Sequence, residues 1–241
     1  AALTTDQVVA LTTAQASNLL TAQLAAFTTD QLAAMETADL AALTTAQISV
    51  LTTAQTSSLT TDQVQALTTN QVQALTTAQV KTLSTDQMVA LTTGQMGSLK
   101  TAQVAALTTD QVAAIETVDL ASLTSVQVKA LGTLQLNALS TDQISALLTE
   151  QMVALTSVQI ASLSTDQVAA LTTAQVTSLL TAQLTSLTTG QIAALETVDL
   201  AQLTTAQIKS LTSAQVPALT TDQVGNQIGR ASCRERVSSP V

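Results

Sequence analysis

An eight-residue frame, Leu-Thr-Thr-x-Gln-Val-x-Ala, opens at Leu3 and runs without insertion or deletion through 28 units, the last opening at Leu219. A period this short leaves no unit able to bury a core by itself, so any stable structure must stack unit on unit. The first position is Leu in 25 of the 28 units, and Phe27, Met35 and Ile115 stand in the others. The third position is Thr or Ser in all 28, and the fifth is Gln in 25. Asp39, Asp119 and Asp199 replace that Gln. The sixth position is usually Val, Ile, Leu or Met, and the eighth is usually Ala or Ser.

The period argues against one continuous helix. Eight residues advance an α-helix by about 800°, so the Leu/Val stripe drifts by about 80° per octad and spirals around the rod. Paired threonines weaken a helix interior further. A β-solenoid is the alternative, but Leu at position one and Val at position six have opposite parity and would point to opposite faces of a strand. Six glycines are also few for tight corners.

One short helix and one turn per octad remain, which predicts an all-α solenoid of very short capped helices. Thr4-Thr5-Asp6-Gln7 has the Thr-x-x-Gln form of a capping box. An acid at position four then suits the positive end of the helix dipole. The cap residue is either position two, which tolerates Leu20, Lys100, Gly132, Leu148 and Leu180, or position three, which never loses its hydroxyl. Helices of this length are unstable alone and must stack. Two large apolar side chains per octad, at about 1.5–3 kcal/mol each on full burial, supply the core. The spacing of the position-four aspartates (Asp6, Asp30, Asp62, Asp86, Asp110, Asp142, Asp166, Asp222) suggests about three and a third octads per coil.

The three aspartate octads, Met35-Glu36-Thr37-Ala38-Asp39-Leu40 and its counterparts at Ile115 and Leu195, lie 80 residues apart. Ten octads therefore form a higher-order unit that has been copied. Residues 1–226 are expected to be one repeat array cut from a longer protein. From Gln227 the frame and composition change together, and Gln227-Ile228-Gly229-Arg230-Ala231-Ser232-Cys233-Arg234-Glu235-Arg236-Val237 resembles a translated sequencing adaptor. Residues 227–241 are read as a non-native tail.

Chemistry is hard to place on this chain. Histidine is absent, the lone Cys233 and all three arginines lie in the tail, and the chain has one Phe with neither Trp nor Tyr. The usual nucleophile–base pairs and zinc sites have no residues to build them, and no glycine-rich phosphate loop is present. Up to Asn226 four lysines (Lys81, Lys100, Lys129, Lys209) face fifteen acids, which argues against nucleic acid as a partner. No apolar run reaches the roughly 18–20 residues that span a bilayer. Met35, Met88, Met96 and Met152 occupy Leu or Val slots and read as core. Lys81, Lys129 and Lys209 share position seven, which marks it as solvated. Glu36 and Asp39 are three apart and could share a cation, but a variant cap or solvated face fits them better, since calcium loops need several more oxygens. No catalytic, cofactor or metal residue is assigned, and no enzyme activity is expected.

Leu3-Thr4-Thr5-Asp6-Gln7-Val8-Val9-Ala10 resembles the opening helix of a TAL effector repeat, but those repeats are about 34 residues long and carry base-reading loops. The array from Leu3 to Val224 more closely resembles the threonine- and glutamine-rich octad tracts of very large bacterial surface or adhesin-like proteins. That resemblance implies a secreted or surface-attached setting and a structural role as a spacer or stalk. A protein- or peptide-binding solenoid of an adhesin is the alternative.

Overall fold

The computed structural model describes residues 3–225. Among them the chain is a succession of α-helices of five or six residues, from Thr5–Val9 to Thr205–Ser210, one per octad and with no strand. The β-solenoid alternative is thereby overturned. Positions one and six, which a strand would send to opposite faces, are both buried here, position six on the helix and position one in the extended corner.

Each helix starts at position three. Position two is the N-cap, with extended backbone (φ −72°, ψ 163° at Thr28) and a hydroxyl that accepts the position-five N–H. Position three is therefore the first helical residue, which settles the phase. The helix ends at position seven or eight. Leu at position one then takes extended backbone (φ −62°, ψ 144° at Leu43) while its N–H bonds the position-six carbonyl, 3.2 Å for Leu43 to Leu40. Two extended residues in a row make the whole corner. No described residue has positive φ, glycine included, so the corner needs no glycine and tolerates Leu followed by β-branched Thr. The one irregular octad opens at Leu211. Pro217 lacks the N–H that would continue its helix, and Val216–Ala218 closes as a 3-10 turn instead.

The chain divides into two compact units, Ala1–Leu131 and Gly132–Val241. In the first, each helix packs on the helix three octads along: Thr13–Ser17 on Thr37–Ala42, and Thr93–Ser98 on Thr117–Ser122. In the second the rule is the same, with Ser157–Ser162 on Thr181–Ser186 and Thr173–Ser178 on Thr197–Gln202. Position six is sealed (Leu32, Leu40, Val72, Met88 and Ile144 at 0%) and position one nearly so (Leu43 at 4%, Leu139 at 3%). The core is thus a thin aliphatic seam renewed every eight residues, which is why a chain almost free of aromatics can fold. Met35, Met88, Met96 and Met152 lie in that seam, while Lys81, Lys129 and Lys209 are exposed. Between the helices Thr93–Ser98 and Thr117–Ser122, a Cβ built on Gly97 would lie 3.2 Å from the Ser122 carbonyl oxygen.

Residues 227–241, read from the sequence as a non-native tail, lie outside the described residues.

Candidate functional site

The one polar group that the fold buries repeatedly is the glutamine at position five. Gln47 to Gln127 in the first unit and Gln167 to Gln223 in the second are 7% exposed or less, apart from the aspartate octad in each. Gln7, Gln15 and Gln23, which have no octad stacked behind them among the described residues, are exposed. Burial of the glutamine therefore comes from the stack and not from its own helix.

Each end of the amide has a fixed task. In the Leu67 octad, Gln71 Oε1 accepts the N–H of the cap residue Thr68 at 2.8 Å, while the Gln71 N–H donates to Thr68 Oγ1 at 3.2 Å. This is the reciprocal capping box. Gln71 Nε2 reaches back to the helix Thr37–Ala42, donating to Leu40 O and Leu43 O at 2.8 Å each and to Ala41 O at 3.3 Å. These carbonyls lie in the last turn and corner of that helix, where internal donors run out; Leu40 O also takes the Leu43 N–H at 3.2 Å. The same reach of 28 and 31 residues recurs at Gln103 (Leu75, Val72), Gln111 (Leu83, Val80), Gln167 (Leu139, Leu136) and Gln175 (Leu147, Ile144). Helices thus pack three octads apart and are tied four octads apart, which places one coil between three and four octads. The three and a third inferred from the acids falls in that interval.

The ladder explains why position two tolerates substitution. With Leu20, Lys100, Gly132, Leu148 or Leu180 as the cap, the backbone N–H still donates to the glutamine Oε1, at 2.6–2.8 Å. Only the hydroxyl half of the box is lost. It also explains a choice the sequence analysis passed over. Glutamate closes a capping box as well as glutamine does, yet position five is never Glu. The absence of that substitute is the signal that an amide donor is in use.

Three octads break the ladder. Asp39, Asp119 and Asp199 are 3–4% exposed, so the reading of Asp39 as part of a solvated face is corrected. Position five is core-side whatever occupies it, and Glu36, at position two, is the exposed member of the pair. Glu36, Glu116 and Glu196 make no side-chain cap bond. Asp39 Oδ2 and Asp119 Oδ1 are buried with no hydrogen-bond partner, whereas Asp199 Oδ1 accepts from Thr173 Oγ1 at 2.5 Å. Burial, and secondarily the Glu36 carboxylate, pushes the Asp39 carboxyl above the usual carboxylate value. Among the described residues no three metal-ligating side chains come together. A shallow groove between the helices Thr77–Lys81 and Thr101–Ala106 is lined by Thr77, Ala78, Lys81, Ala105, Ala106, Leu107 and Thr108, which include no acid–base pair. No helix among the described residues is long and apolar enough to cross a membrane.

A comparison with curated proteins finds no match. The family model of the ALTTAQ repeat matches residues 32–69, 67–101, 112–149, 146–181 and 192–226. Its first, third and fifth matches begin at 32, 112 and 192, the same 80-residue step that separates the aspartate octads. The matches cover well over half of the chain, each taking in the frame of hydroxyl cap, glutamine tie and aliphatic seam, and the chain belongs to the ALTTAQ repeat family.

Proposed function

We propose that this array is a structural spacer: a non-enzymatic repeat tract that holds other parts of a large, secreted or surface-attached bacterial protein at a distance. The observation that carries this reading is the identical use of nearly every buried polar group. Each buried glutamine amide is committed at both ends, its oxygen to capping its own helix and its nitrogen to holding that helix to an earlier octad. The exposed positions two, three and four are mostly Thr, Ala and Asp, without the Trp, Tyr and Arg anchors that dominate binding surfaces. Deleting or adding whole ten-octad blocks in the parent protein tests the idea. Reach, measured as the distance between labelled flanking domains, should change in proportion to octad number. An unchanged reach would defeat it.

A binding role is the second reading, and one observation favours it. The helices Thr133–Ala138 and Ser157–Ser162 pack together and carry, at the same position, Leu134 and Val158, which are 75% and 71% exposed. A single saturable partner captured by isolated repeats, and lost on Leu134→Asp with Val158→Asp, would favour this reading over the spacer.

A further inference from the structure

In a common octad one buried side chain both closes the start of its own helix and ties that helix to another four octads back. The aspartate octads neither close the box nor make the four-octad tie; Asp199 alone keeps an inter-octad bond, accepting from Thr173 three octads back. Aspartate is one methylene shorter than glutamine, and its carboxylate accepts but cannot donate. The tie from Thr37–Ala42 back to Leu11, from Thr117–Ser122 back to Leu91, and from Thr197–Gln202 back to Leu171 therefore has no glutamine to make it. The octads on either side keep theirs. Gln31 bonds Leu3 and Gln47 bonds Leu19; Gln111 bonds Leu83 and Gln127 bonds Leu99; Gln191 bonds Leu163 and Gln207 bonds Leu179. The apolar packing is intact, since Leu40, Leu120 and Leu200 are all fully buried. The defect is confined to hydrogen bonding, and buried orphan oxygens on Asp39 and Asp119 add to it.

We propose that Asp39, Asp119 and Asp199 are yield points, at which the solenoid opens before its glutamine octads do and which divide the array into 80-residue lengths. The physics is that of a linear stack. Stability is a sum of unit and neighbour contributions, so a missing tie is not made good by distant octads. Local opening follows the weakest contributions, and here they recur at a fixed interval. Within the array Asp119 is the diagnostic site, because it is far from both ends, where fraying would blur the comparison.

Hydrogen exchange followed by mass spectrometry on the 241-residue chain tests this at peptide level. Amides of residues 116–123, cap to corner of the aspartate helix, should exchange roughly 10- to 100-fold faster than those of the flanking eight-residue segments 108–115 and 124–131, the factor expected for unmet buried hydrogen bonds. The double variant Glu116→Thr with Asp119→Gln restores box and tie and should bring the three octads level. Equal protection in the wild type would overturn the proposal, and that comparison needs no variant. So would a folded double variant that still exchanges fast at 116–123. Slowing of the wild-type exchange by millimolar calcium, absent in the variant, would make the acid pair a cation seat and also overturn it. Pulling a chain of several ten-octad blocks should give steps near 80 residues, about 260–290 Å of extended chain each before the folded length is subtracted. Steps of single octads or of the whole array would speak against it.

Discussion

Gln111→Glu separates the two tasks of the position-five side chain. The substitution is nearly isosteric and keeps an oxygen to accept the Thr108 N–H, now 2.8 Å from Oε1, so the capping box survives. What changes is the other end. Gln111 Nε2 donates to Val80 O at 2.8 Å and Leu83 O at 2.7 Å. Val80 O retains the Leu83 N–H at 3.2 Å, whereas the Leu83 carbonyl loses its glutamine donor outright. One orphaned buried carbonyl costs about 1–3 kcal/mol, and a carboxylate facing two carbonyls in a site where Gln111 is 2% exposed adds to that. The expected loss at pH 7 is about 2–4 kcal/mol. Thr108→Ala, which removes only the hydroxyl that accepts the Gln111 N–H at 3.1 Å, should cost about 1 kcal/mol. Urea unfolding followed by far-UV circular dichroism measures both. Lowering the pH should recover part of the first loss and none of the second. The introduced carboxyl is buried, its proton-bound form is favoured in the folded chain, and once protonated it can donate to one carbonyl. If Gln111→Glu costs no more than Thr108→Ala at pH 7, the inter-octad tie contributes little and the ladder argument fails.

Two further outcomes follow from the packing and the acids. Gly94 and Gly97 lie in the same helix, Thr93–Ser98, but a Cβ meets nothing within 4 Å at Gly94 and the Ser122 carbonyl oxygen at 3.2 Å at Gly97. Gly94→Ala should therefore stabilise by about 0.5–1 kcal/mol in a thermal melt, while Gly97→Ala should gain less or destabilise; equal gains would show that the approach of the two helices is soft. At Asp39 the folded chain raises the carboxyl above its ordinary value of 3.8. The stability this group contributes is then fully present below that value and is lost as pH rises through the raised one. Asp39→Asn should flatten the fall in Tm between pH 4 and pH 7. Asp62→Asn, which removes an exposed acid at position four, should leave most of it, since relief of general acid repulsion is common to both variants. Identical profiles for the two would refute a special environment at Asp39.

The helix-per-octad fold was legible because every local cue agreed: the cap pair, the first-turn acid and the large residues at positions one and six. The phase was not fully legible. Leu20 or Gly132 at position two looks like a broken cap, and only the structure shows that the backbone N–H there carries on the bond to glutamine. The burial of Gln71 or Asp39 was hidden for a different reason. It depends on which octad lies behind, a separation of about four units that spacing within one octad does not encode. The third-position hydroxyl, present in all 28 octads, donates to Asp199 Oδ1 at Thr173 and to the Ala182 carbonyl at Ser157, and nothing among the described residues explains its presence elsewhere.

The ties also have a direction in time. Each glutamine side chain points to carbonyls 28 to 31 residues nearer the N-terminus, so its acceptors are always older than it is on the ribosome. The glutamine of an octad emerging during synthesis finds its acceptors already made; only the octad's own last carbonyls wait for a glutamine about one coil later. A chain of this kind can lock into place continuously as it is made, however many octads it contains, and loop closure never spans more than about one coil.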